Sequence, residues 1–540
     1  MKRRSRLTPV VIGALCALLL PSVSGSTGSA TSGGIFRVTF LTSPGNFDKV
    51  DPALAYSRES WALLDTVCAR LMRYRDQPST EGYELEPDVA AAPPVVSRDG
   101  RTWTFRLRTG FRFSNGSPVR ADAFAHAIHR TMAPGVDSPA YVYTRAIVGA
   151  EDVHAGRAER ASGVTAGKNT LTVRFTREVR EFDAWTTMPF FCAVPPTLPP
   201  SREGVRTFPG AGPYTIREYR PNERIVLGRN RYYGGRRAHH VDGFHVDLSA
   251  ESPDEKIKRV ATGRADWTYT LPGVAVQPHL GLIAKFALNH SRFFLDPGLT
   301  VSMYVLNSSG PLFRNNPKLR RAVNLALDRA QLVRPPAIGA VTDQYLAPTV
   351  PGFKQRTIYP ARDIERARAL AAGSLRGGKA LLYVPDVSVA RLAAQGVQLQ
   401  LAELGLEIEI RPFGEHATAS SYLGRLGDAD EPWDLGLVLW TPDFVDPAAY
   451  INRLLDGQHA GGTNLARFDE PPYNAQMQQA SRLQGAAREK TYAELDLRLA
   501  CDAAPLLPVA ALNEVTLVSA RVGCMLRRPG LVLTTVCLKR

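Results

Sequence analysis

In the stretch LVLWTPDFVDP an apolar run ends abruptly in acid. Leu435, Gly436, Leu437, Val438, Leu439 and Trp440 read as a buried strand, and Asp443 follows three residues later, ahead of Asp446 and Pro447. Open α/β sheets hold their ligands outside the carboxyl ends of the strands, so Asp443 has a physical reason to face a cleft. A carboxylate there can capture a cation. An ammonium sealed into a closed cleft loses its hydration, and a fixed carboxylate offsets that cost through a charge-assisted hydrogen bond. The competing reading is a solvated turn aspartate. Asp446, directly before Pro447, has the sequence of a turn former.

Catalytic chemistry has no comparable signal. The chain carries no Gly-x-Ser-x-Gly elbow, no His-Glu-x-x-His and no complete Gly-x-x-x-x-Gly-Lys-Ser/Thr phosphate loop. His239 and His240 are adjacent, would point apart on a strand, and belong to a surface loop rather than a metal site. No spacing selects a pair of carboxylates for hydrolysis. A binding protein, with neither metal nor cofactor, is therefore expected.

At 540 residues, with 44% hydrophobic and 22% charged residues, the chain exceeds one core and supports roughly three or four structural units. Residues 1–30 read as an export signal: Lys2, Arg3, Arg4 and Arg6, an apolar stretch from Leu7 to Leu20, then Pro21 and small residues. That stretch is shorter than the roughly 20 residues a bilayer span needs. The mature protein is thus expected to be soluble and exported, in the periplasm, at the cell envelope or outside the cell. Cys16 lies inside the apolar stretch in a poor lipoprotein context, leaving Cys68, Cys192, Cys501, Cys524 and Cys537, an odd number that keeps at least one thiol unpaired. The net charge of +15 comes from arginines scattered along the chain. Nucleic-acid binding would concentrate them in a patch with aromatics, so no nucleic-acid partner is expected.

Several elements that must position Asp443 are legible. Trp103, Phe105 and Leu107 alternate with polar residues, Phe111 and Phe113 resume the pattern, and Asn115-Gly116 signals a turn. Phe124, Ile128 and Met132 share one face of a helix over residues 121–132. Residues 212–233 read as a hairpin turning at Pro221-Asn222. PKLRRAVNLALDRAQLV reads as one amphipathic helix with Asn316 as cap, Pro317 in the first turn, and a buried stripe of Leu319, Ala322, Val323, Ala326, Leu327 and Ala330. The mixture indicates an α/β protein of several lobes.

Seven segments in this order resemble the extracellular solute-binding proteins of family 5, the oligopeptide-, dipeptide- and nickel-binding receptors of ABC importers. They are VDPALAYSRESWALLDTVCARLMRY (50–74), TWTFRLRTGFRFSNGSPVRADAF (102–124), SPAYVYTRAIVGAEDV (138–153), GAGPYTIREYRPNERIVLGRNRYY (210–233), GRADW (263–267), RRAVNLALDR (320–329) and LVLWTPDFVDP. The resemblance implies a periplasmic-binding-protein-like clamshell of two lobes with an extra subdomain in the first. Lobe one would comprise residues 35–80, 205–297 and 506–540, the subdomain 81–204, and lobe two 298–505.

In peptide-binding members an aspartate three residues after a tryptophan holds the peptide's free α-amino group, and Trp440-x-x-Asp443 reproduces that spacing. Tyr56, Ser57 and Arg58 fall where relatives supply an extended segment that hydrogen-bonds the peptide backbone. Tyr143 matches an aromatic contact position, although Ala140 and Tyr141 depart from the relatives' order. Trp440 would either wall a side-chain pocket or cap the core of its strand. The function implied is capture of short peptides between the lobes by a monomer that delivers them to an ABC importer permease. The alternative is a secreted binder of a non-peptide or modified amino-acid metabolite, tied to sensing or to a biosynthetic cluster. Asp443 favours a ligand with a free amine over nickel complexes or neutral sugars.

Overall fold

The computed structural model describes residues 30–40, 47–78, 82–270, 276–333, 339–414, 419–528 and 531–539. The export signal expected over 1–30 lies outside them but for Ala30.

Two long antiparallel strands, Phe293–Leu306 and Leu506–Val518, organise an eleven-stranded sheet. On one side of them lie Leu435–Trp440, Lys379–Pro385 and Glu407–Phe413. On the other lie Trp267–Thr270, Ile35–Phe40, Gly243–Asp247, Arg224–Arg229 and Tyr214–Arg220, and the short eleventh strand, Gly339–Val341, pairs with Leu506–Val518 off this path. The ladder between the long strands shifts register between Pro297 and Val301. Pro297 has no N–H to donate, and a Cβ on Gly298 would lie 2.5 Å from the Leu512 carbonyl oxygen, so the close approach requires glycine. The break divides the sheet into the halves of a two-lobed α/β clamshell. A smaller body stands against the first lobe: the four-stranded sheet of Val95–Val96, Thr102–Arg106, Thr170–Arg174 and Val164–Ala166, packed by helix Ala121–Thr131.

Local chemistry accounts for these elements. Trp103, Phe105, Leu107, Phe124, Ile128 and Met132 all enter one core, as their spacings require. The second hairpin turns at residues 221–223, where Asn222 takes a φ of 59°, a conformation asparagine tolerates. Asn316 caps helix Pro317–Leu325 by accepting from the Leu319 N–H at 3.3 Å. The single helix expected beyond it is not formed. It stops at Leu325, and Asp328 caps a separate turn, Arg329–Leu332, by accepting from Gln331 N–H at 3.0 Å. The broken end is satisfied from outside: Arg329 donates to the Asn324 carbonyl oxygen at 3.0 Å and the Pro508 carbonyl oxygen at 2.8 Å. Ala330 is accordingly exposed instead of completing the buried stripe.

Cysteines pair as Cys68–Cys192 and Cys524–Cys537, leaving an exposed thiol at Cys501. The subdomain helix is further tied to the first lobe by charge. Arg130 donates to both oxygens of Asp51, at 2.9 and 2.7 Å, and Asp51 also accepts from the backbone N–H groups of Ala53 and Val205. Both side chains are buried. Removing one member of such a pair leaves an uncompensated charge. Asp51→Ala should therefore cost about 3–5 kcal/mol of stability, measured by urea unfolding; a loss under about 1 kcal/mol, the size of an exposed pair, would contradict this account.

Candidate functional site

Leu435–Trp440 ends at the boundary between the lobes, and the loop that follows is held at both ends. At its start, Trp440 packs on the second-lobe core and its indole N–H donates to the Ala449 carbonyl oxygen at 3.0 Å, while the Thr441 and Thr300 hydroxyls pair at 2.7 Å. At its end, Asp446 accepts from the Ala448 N–H at 2.7 Å and starts the short helix Pro447–Ala449. Asp446 thus forms the turn that Asp446-Pro447 suggests, and it also accepts from Arg488 at 2.8 Å. Between these anchors the loop projects Asp443 and Phe444 toward the first lobe and its subdomain.

The partly buried Asp443 carboxylate meets two phenols from the other side. The Tyr56 hydroxyl donates to Oδ1 at 3.0 Å and shares Oδ2 at 3.1 Å; the Tyr143 hydroxyl donates to Oδ2. The Arg453 guanidinium lies over the Tyr143 ring at 4.6 Å. Burial pushes the Asp443 carboxyl up, and the hydrogen bonds from Tyr143 and Tyr56 and the Arg453 charge pull it back only in part. Burial and then the Asp443 charge hold the Tyr143 hydroxyl protonated, so it remains a donor. Phe444 enters the subdomain core beside Tyr143 and Trp185, and the Val445 N–H donates to the Tyr74 hydroxyl at 2.8 Å. Arg488 of the second lobe completes the contact, pairing with Glu181 of the subdomain at 3.0 Å.

Tyr56, Tyr143, Trp440 and Asp443 line one cavity of about 540 Å³, together with Arg453 and the apolar side chains of Val142, Leu423 and Leu439. This volume suits a small organic ligand. Its polar groups converge on one end, where a single carboxylate can accept from an ammonium. Ser57 and Arg58 do not line it. The Ser57 side chain caps helix Arg58–Val67, accepting from the Ser60 N–H at 3.2 Å and donating to Asp48 at 2.9 Å. Arg58 pairs with the buried Glu514 on the long strand Leu506–Val518. Ser57 is extended, and the helix begins at the next residue, Arg58. Among residues that sequence reasoning did not single out, Phe444 carried a signal, an aromatic inside a polar loop. Arg453 carried none among 66 lysines and arginines. Within the described residues no group of three or more His, Cys, Asp or Glu side chains is placed to hold a metal.

Residues 84–462 match the family described as bacterial extracellular solute-binding proteins, family 5. The chain is 25% identical over 467 residues to the periplasmic oligopeptide-binding protein OppA of Salmonella typhimurium, covering 82% of each chain. It is 23% identical over 424 residues to the oligopeptide-binding protein OppA of Bacillus subtilis, covering 73% of this chain and 74% of that one. Among solved structures it resembles the clavulanic acid biosynthesis oligopeptide binding protein 2, with a TM-score of 0.84 at 23% identity over 95% of this chain and 98% of that one.

The bonds from Tyr56 and Tyr143 to Asp443 span the lobes, and a hydrogen bond to a charged group contributes about 1.5–3 kcal/mol. Tyr143→Phe should shift the unliganded protein toward the open form, read as a larger radius of gyration in small-angle scattering. An unchanged radius would show that these bonds do not hold the lobes together.

Proposed function

Because the chain belongs to the bacterial extracellular solute-binding proteins, family 5, we propose that it captures short peptides by their free amino end in the interlobe cleft and delivers them to an ABC importer permease. Asp443 carries the reading: a buried-leaning carboxylate on a rigid strand end, facing the other lobe inside a ligand-sized cavity. The two OppA relatives, which their names describe as oligopeptide-binding, support the ligand class. The protein acts as a binder, not an enzyme, and works as a monomer outside the cytoplasm once its leader is removed. No helix among the described residues is long and apolar enough to cross a membrane.

The mechanism follows from the geometry. An incoming ammonium donates to Asp443, whose four lone-pair positions exceed what two tyrosine hydroxyls occupy. Trp440, Leu439 and Leu423 wall the space that receives the ligand's first side chain. Tyr56 and Tyr143 then register the lobes on the occupied carboxylate. The ligand favours closure only by the difference between its affinities for the closed and open forms. A ligand bonded to Asp443 and touching first-lobe groups binds the closed form better.

The pH dependence has a definite sign. Burial raises Asp443 above its ordinary 3.8, so the unliganded closed site holds a proton at acidities where a free aspartate would not. An ammonium stabilises the ionised form, so binding releases that proton. Affinity should rise with pH through a window lying above 3.8, level off, and fall again as the ligand's α-amino group deprotonates near pH 8.

Isothermal titration with pooled short peptides tests the role of Asp443. N-acetylation of the peptides, or Asp443→Ala, should each cost about 2–5 kcal/mol of binding, as for other buried charge pairs. Binding indifferent to both changes would remove Asp443 from the ligand site.

A further inference from the structure

Beyond Phe444 and Arg453, which it shares with the amine cavity, lies a second cavity of about 370 Å³, in the seam between the subdomain and the second lobe. Its lining is rich in donors. From the subdomain come Arg101, Arg177 and Trp185; from the second lobe come Arg453 and His459. Three carboxylates also line it and each has partners: Glu178 pairs with Arg180 at 2.7 Å and Arg482 at 3.2 Å, Glu181 pairs with Arg488 at 3.0 Å, and Asp456 accepts from the Gln458 backbone N–H at 3.1 Å and side-chain amide at 3.0 Å. Among the described residues no carboxylate forms an ion pair with Arg101, Arg177 or Arg453. Trp185 is 4% exposed, and its indole N–H has no hydrogen-bond partner among the described residues. A buried donor left in this way costs free energy until an acceptor arrives. His459 reports the same excess of positive charge. Burial, followed by the charges of Arg453, Arg177 and Arg145, pushes its imidazole down to about 3, so it stays neutral.

We propose that this seam is an oxyanion site that takes a carboxylate or a phosphate and binds it between Arg177 and Trp185 of the subdomain and Arg453 of the second lobe. Because the donors come from both closing surfaces, the site is complete only when the lobes meet, and occupancy favours the closed form. Closure without an anion gathers guanidinium groups against one another. The oxyanion has two sources: a free inorganic anion, or the carboxylate of a ligand whose amine lies at Asp443, and the second source rests on the peptide reading above.

Two measurements on the full mature protein separate these cases. The first is thermal unfolding in inorganic phosphate against chloride at equal ionic strength, with Arg177→Gln and Trp185→Phe alongside. The second is titration with a short peptide and with its C-terminal amide. A rise in Tm with phosphate that both variants reduce supports the site with a free anion. No phosphate effect, but about tenfold weaker binding of the amide that vanishes in Arg177→Gln, supports it with the ligand's own carboxylate. If phosphate has no specific effect and amidation changes nothing, the site is overturned, even where binding still requires a free amine. If binding proves indifferent to N-acetylation, the peptide reading fails while the phosphate arm still decides the site.

Discussion

The structure turns on the placement of one carboxylate. Asp443 belongs by sequence to the second lobe, yet its hydrogen-bond donors belong to the first lobe and its subdomain. A carboxylate taken partly out of water must be satisfied or give up its charge. Here satisfaction requires that the lobes meet. On the proposed reading, chemical recognition and mechanical closure are coupled at this single group, so that whatever competes for or supplements the tyrosine hydroxyls changes the balance between open and closed forms.

That coupling works only if Asp443 is held rigidly on its own side and the lobes can move relative to one another. Rigidity comes from the strand Leu435–Trp440, central in the second-lobe half of the sheet, and from the Trp440 and Asp446 anchors on either side of the loop. The halves are joined through the two long strands they share, whose ladder shifts register at Pro297 to Val301. A proline that cannot donate and a glycine pressed against Leu512 mark the place where the pair is least able to continue as regular sheet. Phe444 adds an apolar contribution, entering the subdomain core from the opposite lobe, so closure buries an aromatic ring as well as a charge.

What the sequence discloses follows from the range of the physics involved. The Asp443 position was legible because strand periodicity and its abrupt end are local, and the Trp440 spacing added a resemblance. Tyr56 and Tyr143 lie 387 and 300 residues from Asp443; the resemblance placed them at the ligand, and nothing in the sequence indicated that they donate to Asp443. The same resemblance placed Ser57 and Arg58 at the ligand, whereas a Ser57 cap and an ion pair to Glu514 employ them in building the helix and tying it to the long strand Leu506–Val518. The helix break at Asp328 was hidden because a mid-pattern aspartate reads as a polar face until its capping bond is seen. Arg453 and Arg177 were beyond reach: in a chain this rich in arginine, identity carries no information, and only proximity to Asp443, Tyr143 and Trp185 distinguishes them.

The measurement that tests the central claim most directly is a crystal structure of the mature protein with a short free-amine peptide. The account predicts the peptide's amino nitrogen within hydrogen-bonding distance of an Asp443 carboxylate oxygen, with Tyr56 and Tyr143 still donating across a closed cleft. A closed complex in which Asp443 is held by the tyrosines alone and the amino group lies elsewhere would contradict it.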